Sequence, residues 1–163
     1  MKTFLLSVVL AACSTFVLAQ TPAQNKAKCV EFYKALNGDM SGFKAANFVS
    51  ADFVDETVPA EAWAQMGADG VARFQAAIQS YKTAFPDLQW KTTLMVAEGD
   101  NVMVYGEMTG TFKNDFMGMK ATNKSFKIAD VDIVQFNKEG KCIKHMAVQD
   151  PMVMWAQLGV EMK

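Results

Sequence analysis

The stretch from Ser125 to Asp150, SFKIADVDIVQFNKEGKCIKHMAVQD, decides the fold. Its apolar residues alternate with polar ones on both sides of Asn137-Lys138-Glu139-Gly140, the pattern of two half-buried strands joined by a tight turn. Asn-x-x-Gly suits a type I turn whose glycine takes the left-handed conformation and forms a bulge. That geometry places Asn137 opposite Lys141, and the pairing then runs Asp132 to Met146, Asp130 to Val148 and Ile128 to Asp150. All six would share a face with Phe126, Val134 and Phe136. His145 would fall on the opposite face, beside Ile133. A two-residue turn would instead pair His145 with Asp132, an acid/base couple; the Asn-x-x-Gly sequence favours the first register.

The segment before this hairpin has the same period. Leu88 to Val96 and Val102 to Phe112 read as strands turning at Glu98-Gly99-Asp100-Asn101. Further upstream the period is helical. Thr21-Pro22 is an N-cap followed by proline in the first turn. Cys29, Phe32, Tyr33 and Leu36 then mark one helix face that Asn37-Gly38 ends. A short helix is expected after Ser41 and extended chain at Phe53-Val54. Val71, Phe74, Ile78, Tyr81 and Phe85 recur at helical spacing up to Pro86. Met154, Trp155 and Leu158 form a closing helical turn. Helices first and a meander of long strands after them predict an α+β fold, a cone-shaped curved antiparallel sheet wrapped around the N-terminal helices.

The N-terminus is of another kind. One lysine precedes the apolar run Phe4–Val17, and Val17-Leu18-Ala19 supplies the small residues of a cleavage site, so residues 1–19 read as a secretory signal peptide. Leu10-Ala11-Ala12-Cys13 resembles a lipobox, which would make Cys13 a lipid anchor. Either reading exports the protein, to the periplasm or the medium, without a membrane span. Residues 20–163 then form a single domain.

Composition narrows the function classes. The chain has 163 residues, with 16 Lys+Arg against 17 Asp+Glu. Arg73 is its only arginine, which argues against nucleic acid as a partner. No nucleotide loop, serine-nucleophile elbow or clustered metal-ligand motif is present, and a lone histidine makes no transition-metal site. The 12 methionines are more economically read as adaptable packing than as copper ligands. Cys29 and Cys142 could pair in an oxidising compartment or remain two separate thiols.

Three carboxylates on an otherwise apolar sheet face are unusual. A buried carboxylate shifts its pKa or finds a donor, and a raised pKa suits a general acid or base near neutrality. Asp130 and Asp132 could alternatively sit at a solvated rim. Asp150, Asp132 and Asp130 are the candidate catalytic residues. Met146, Val148, Ile128, Phe126, Trp63, Glu56 and Tyr33 are the candidates to line the pocket, although Trp63 reads more readily as core or lid packing.

Several ordered stretches carry a family resemblance: FPDLQW (85–90), AEGDNVMVYGEMTGTF (97–112), MGMKATNKSFKIADVDIVQF (117–136), EGKCIKHMAVQD (139–150) and AQLG (156–159). Together they resemble the SnoaL-like polyketide cyclases of the nuclear-transport-factor-2-like (ketosteroid isomerase-like) superfamily, over roughly Asn25 to Gly159. The resemblance implies a cone with a deep pocket, frequent homodimerisation through the sheet, and cofactor-free ring closure with one aspartate as acid/base. That aspartate lies in an H-W-x-x-x-D stretch of the last strand, which Asp150 matches, with Met146 standing at the tryptophan. Glu56 stands where a histidine is often found. The expected function is cofactor-free acid/base catalysis, of cyclase or isomerase type, on a small hydrophobic carbonyl compound. The competing expectation is a non-catalytic binding or assembly module of the same fold.

Overall fold

The computed structural model describes residues 20–160. The signal-peptide and Cys13 readings concern residues outside that range. Helix α1 (Pro22–Asn37) starts at a full capping box, in which Thr21 accepts from the Gln24 amide and the Gln24 side chain accepts from the Thr21 amide. Asn25, Cys29, Tyr33 and Leu36 form its buried face. Two 3₁₀ turns (Met40–Gly42 and Ala45–Asn47) lead into β1 (Val49–Asp55). A short α2 (Ala60–Gln65) precedes α3 (Gly70–Ala84), whose N-cap Asp69 accepts from the Ala72 amide. Gly70 lets α3 lie directly on β1, because a Cβ there would come within 2.6 Å of the Phe53 backbone.

Strands β2 (Gln89–Glu98), β3 (Asn101–Thr111), β4 (Ser125–Phe136) and β5 (Cys142–Val148) complete the sheet, and α4 (Pro151–Leu158) closes the described chain. The sheet order is β1-β5-β4-β3-β2. It is curved, does not close into a barrel, and carries its helices on one face. It is also mixed: β1 runs parallel to β5, whereas the sequence pattern predicted an antiparallel sheet throughout. The β1 strand arrives from the helical half of the chain, so no hairpin constrains its direction. Asn37 fastens the end of α1 to β2, its side chain accepting from the Trp90 amide (2.9 Å) and donating to the Trp90 carbonyl (2.7 Å).

The inner face divides into two apolar clusters. One packs α1, α3 and β1 around Phe53, Phe74, Leu36 and Val102. The other packs Met154, Trp155 and Leu158 of α4 against Phe112, Phe126, Ile128 and Phe85.

The decisive hairpin departs from its expected register. At the turn the expectation holds: Gly140 has φ +72, the Asn137 amide donates to the Lys141 carbonyl, and Phe136 pairs with Cys142. One step further the register slips. Gln135 pairs with Lys144, Val134 with His145, Ile133 with Met146, Asp132 with Ala147 and Val131 with Val148. The extra residue, Ile143, is a β-bulge in β5, and a one-residue slip exchanges the two faces of everything beyond it. His145 therefore points inward. Met146 and Val148 point outward and are exposed.

Outward side chains assemble into two lateral apolar rows across the sheet. Leu94, Tyr105, Val131 and Val148 form one, and Val96, Met103, Ile133 and Met146 form the other.

Candidate active site

Burial of the strand alternation on β4 puts Asp130 and Asp132 on the inner face, at 5% and 8% exposure. The bulge in β5 then brings His145 diagonally against Asp132, and the parallel pairing of β1 sets Asp55 beside His145. The result is a continuous polar chain through the apolar interior. Tyr33, from the inward stripe of α1, donates its hydroxyl to Asp132 Oδ2. His145 Nε2 lies 2.9 Å from Asp132 Oδ1, and His145 Nδ1 lies 3.0 Å from Asp55 Oδ2. Asp55 also accepts from the Thr57 amide.

Charge follows from that geometry. Burial by itself disfavours an imidazolium, but hydrogen bonds to Asp132 and Asp55 and their negative charges override it and lift His145 to about 10. The ring is thus a cation at neutral pH, with both N–H groups donated to carboxylates. Burial pushes the Asp55 carboxyl upward; the hydrogen bond and charge of His145, with help from Thr57, outweigh it and hold the carboxyl below its usual range. Burial and then the nearby Asp132 raise the Tyr33 phenol far above its ordinary value, so it remains a donor.

Tyr33, Asp132 and His145 of this chain form the polar end of a cavity enclosing about 720 Å³, its open mouth included, with Asp55 behind His145. The remaining walls are largely aromatic: Phe32, Phe48, Phe53, Phe74, Trp90 and Phe136. Cys29 and Cys142 line the same space as free thiols. Burial first pushes each of them up to about 12, so both stay protonated and poorly nucleophilic. Among the described residues no group of three or more histidine, cysteine or acidic side chains is placed to hold a metal ion.

Of the residues singled out from sequence, Tyr33 and Asp132 lie on this cavity, and Asp130 is adjacent in a crevice that shares Asp132 with it. Asp150 is elsewhere. It is exposed and caps α4, its carboxylate accepting from the Met152 and Val153 amides at 2.9 and 3.3 Å. The strand ends at Val148, so the expected pairing of Ile128 with Asp150 does not form. Met146 and Val148 were placed in the pocket by the unbulged register and stand on the outer face instead. Ile128 and Phe126 are inward but lie under α4 in the second cluster. Trp63 packs edge-on against Phe53, with ring centroids 5.7 Å apart, as part of the core. Glu56 is a surface residue paired with Lys144 at 3.0 Å. Ile128 and Phe126 thus keep the expected face at the other end of the sheet, and Trp63 is core packing.

The Asn-x-x-Gly register puts His145 on the opposite face from the one it occupies, and the sequence pattern does not mark Asp55. A signal for the first existed, since the alternative register that coupled His145 with Asp132 puts the histidine on the correct side. For Asp55 there was only its place beside Glu56, in a segment whose parallel pairing to β5 no local pattern reveals.

The family model for SnoaL-like polyketide cyclases matches residues 27–158, and the chain belongs to that family. No curated protein matches it. Among solved structures it is similar to TsrD from Streptomyces laurentii, at 21% identity over 87% of this chain and 99% of that one, with a TM-score of 0.72. A SnoaL-like polyketide cyclase homologue from Jannaschia sp. CCS1 aligns at 17% identity over 89% and 99% of the two chains, with a TM-score of 0.72. AclR from Streptomyces galilaeus, described as a hydroxylase candidate, aligns at 26% identity over 85% and 83%, with a TM-score of 0.65. The superposition supports the nuclear-transport-factor-2-like architecture. Among the described residues no helix is long and apolar enough to cross a membrane.

Proposed function

We propose that the cavity receives a small hydrophobic carbonyl compound and that the Tyr33–Asp132–His145–Asp55 chain moves a proton beside its carbonyl without a cofactor. The observation that carries this reading is the placement of one hydrogen-bonded acid/base chain at the end of an aromatic cavity. The Asp132 carboxylate accepts a proton from the carbon next to the carbonyl, and the released electron pair becomes an enolate. The His145 imidazolium stabilises that negative charge in a surrounding of low polarity. The enolate carbon then attacks a second carbonyl, closing a ring, or is reprotonated at another carbon, moving a double bond. In both cases Asp132 returns the proton it took, and the cycle balances.

A specific observation favours the competing reading, binding without turnover. Both Asp132 oxygens and both His145 nitrogens already have partners inside the protein, so the chain can serve as a structural polar plug for a ligand cavity. Deuterium exchange separates the two. A panel of small apolar ketones incubated with the protein in heavy water should gain deuterium beside the carbonyl faster than in buffer. Ligand-induced melting shifts without such exchange, across the panel, would leave only the binding reading.

The outer face supports a homodimer. The two apolar rows are a contiguous exposed surface of the kind that marks an interface. Val148→Lys, at the end of one row, is expected to shift the sedimenting species from dimer to monomer without lowering helix content. A wild-type protein that sediments as a monomer at micromolar concentration would remove this part of the proposal. Export belongs to the same proposal, with a mature N-terminus at Gln20 as its mark.

A further inference from the structure

Asp130 has no task in the mechanism above. It is buried, and its Oδ1 has no hydrogen-bond partner. An unpartnered buried carboxylate oxygen is costly and calls for a reason. Asp130 precedes Asp132 by two residues on the same sheet face, about 7 Å along the strand. Across the sheet it pairs with Gly106, and Gly106 pairs with Thr92.

That row is where β2 bulges, its register slipping between Thr92 and Leu94. Gly106 is required there, since a Cβ would lie 2.3 Å from the Lys91 carbonyl oxygen. The bulge and the missing side chain leave a crevice of about 180 Å³, its open side included. Asp130, Asp132, Tyr33 and Trp90 line its inner end; Lys91, Thr92 and Glu107 lead to the surface. Trp90 also lines the large cavity and so divides the two spaces. Its backbone is held by Asn37, and the Lys82 ammonium sits 5.9 Å over its ring. One side of Asp130 thus adjoins the proton chain, and the other faces a crevice that leads to the surface apart from the apolar cavity.

We propose that Asp130 is the proton-exchange residue of the site, carrying protons between Asp132 and bulk water through the crevice at the β2 bulge. Its purpose rests on the acid/base reading; its geometry does not. The His145 Nε2 proton passes to Asp132, from Asp132 across a bridging water in the crevice to the Asp130 carboxylate, and from the Asp130 carboxyl to bulk water. The reverse sequence refills the chain, and no group is left altered. Asp132 from the same strand, His145 from β5, Tyr33 from α1 and Tyr81 from α3 face Asp130, with Lys91 and Glu107 at the crevice mouth. Burial and then the Asp132 charge raise Asp130 to about 7, against the opposing charge of His145 and the Trp90 side chain. Both protonation states are therefore populated near neutrality, as a shuttle requires.

His145 is the only histidine, so nitrogen-15 histidine labelling gives a single pair of ring N–H signals, whose exchange with water is read by saturation transfer. In the wild type the Nε2 proton, on Asp132, should exchange faster than the Nδ1 proton, on Asp55. Asp130→Asn should slow the Nε2 proton about tenfold or more and spare the Nδ1 proton. Thr92→Leu, an exposed change at the crevice mouth, should slow it in the same sense. An unchanged Nε2 rate in Asp130→Asn, or equal slowing of both protons, overturns the proposal. If the asparagine variant does not fold, Thr92→Leu decides alone, and an unchanged rate there is equally fatal. The readout needs no substrate, so absence of turnover would defeat the catalytic reading and leave this one standing, and the converse holds.

Discussion

Asp132→Asn is expected to lower deuterium exchange on the best ketone of the panel by roughly 10²–10⁴-fold, the span typical of losing a positioned general base. The amide is nearly isosteric and can still accept from Tyr33 through its carbonyl, so the strand and the cavity should persist. What it cannot do is take a proton from carbon. Ligand-induced melting shifts should accordingly survive the substitution, separating loss of chemistry from loss of binding. His145 should respond as well, since one of the two carboxylates that raise it is gone; its pKa should fall from about 10. Asp150→Ala is the contrasting variant. It removes a helix cap whose carboxylate accepts from two amides, which costs about 1 kcal/mol and should leave exchange untouched. If Asp150→Ala abolishes exchange while Asp132→Asn retains most of it, Asp132 is not the base and the acid/base residue is the aspartate of the family motif.

The contrast between these two aspartates shows how far the sequence could be read. Every long element was legible, because each announces itself locally. Thr21-Pro22 starts α1, Pro86 stops α3, and strict alternation marks β3 and β4. The inward setting of Asp130 and Asp132 followed from the same alternation, which needs no knowledge of any partner strand. The face of β5 did not follow, because it depends on an unpaired residue at Ile143, in Lys141-Cys142-Ile143-Lys144, where no glycine or proline signals a bulge. A one-residue slip propagates along a strand: the bulge takes Met146 and Val148 out of the pocket and turns His145 into it. Asp55 required more still. Its meeting with His145 depends on parallel pairing between strands separated by most of the chain, a non-local contact that short-range periodicity does not encode. The candidate site was therefore half visible: the inward setting of the carboxylate on the well-patterned strand was readable, and its partners across two irregular pairings were not.

His145→Phe should cost roughly 3–5 kcal/mol of folding stability at neutral pH, the penalty for removing one member of a buried charged group. The phenyl ring fills the space, so the loss is electrostatic more than steric. Asp55 and Asp132 would be left facing each other with no cation between them, and at least one would have to take up a proton. The pH dependence distinguishes this cause from packing. His145 is raised in the folded state from its ordinary value of about 6.5 to about 10. A group raised on folding contributes stability that is fully present below its unfolded value and is lost as pH climbs through its folded value. The gap between wild type and His145→Phe in urea unfolding should thus be widest near pH 6 and shrink steadily toward pH 10, where the wild-type ring loses its proton. Asp55 behaves oppositely: held below the usual carboxylate range, it contributes above its unfolded value and is lost in acid, so the gap should also narrow well below pH 4. A second comparison isolates the pair. With Asp132→Asn already in place, His145→Phe should cost less, because one of the charges it strands has been removed. A gap that stays constant from pH 6 to pH 10, with strictly additive double-variant losses, would mean that the imidazole only fills space and that the chain of donors and acceptors from Tyr33 to Asp55 is not an electrostatic unit.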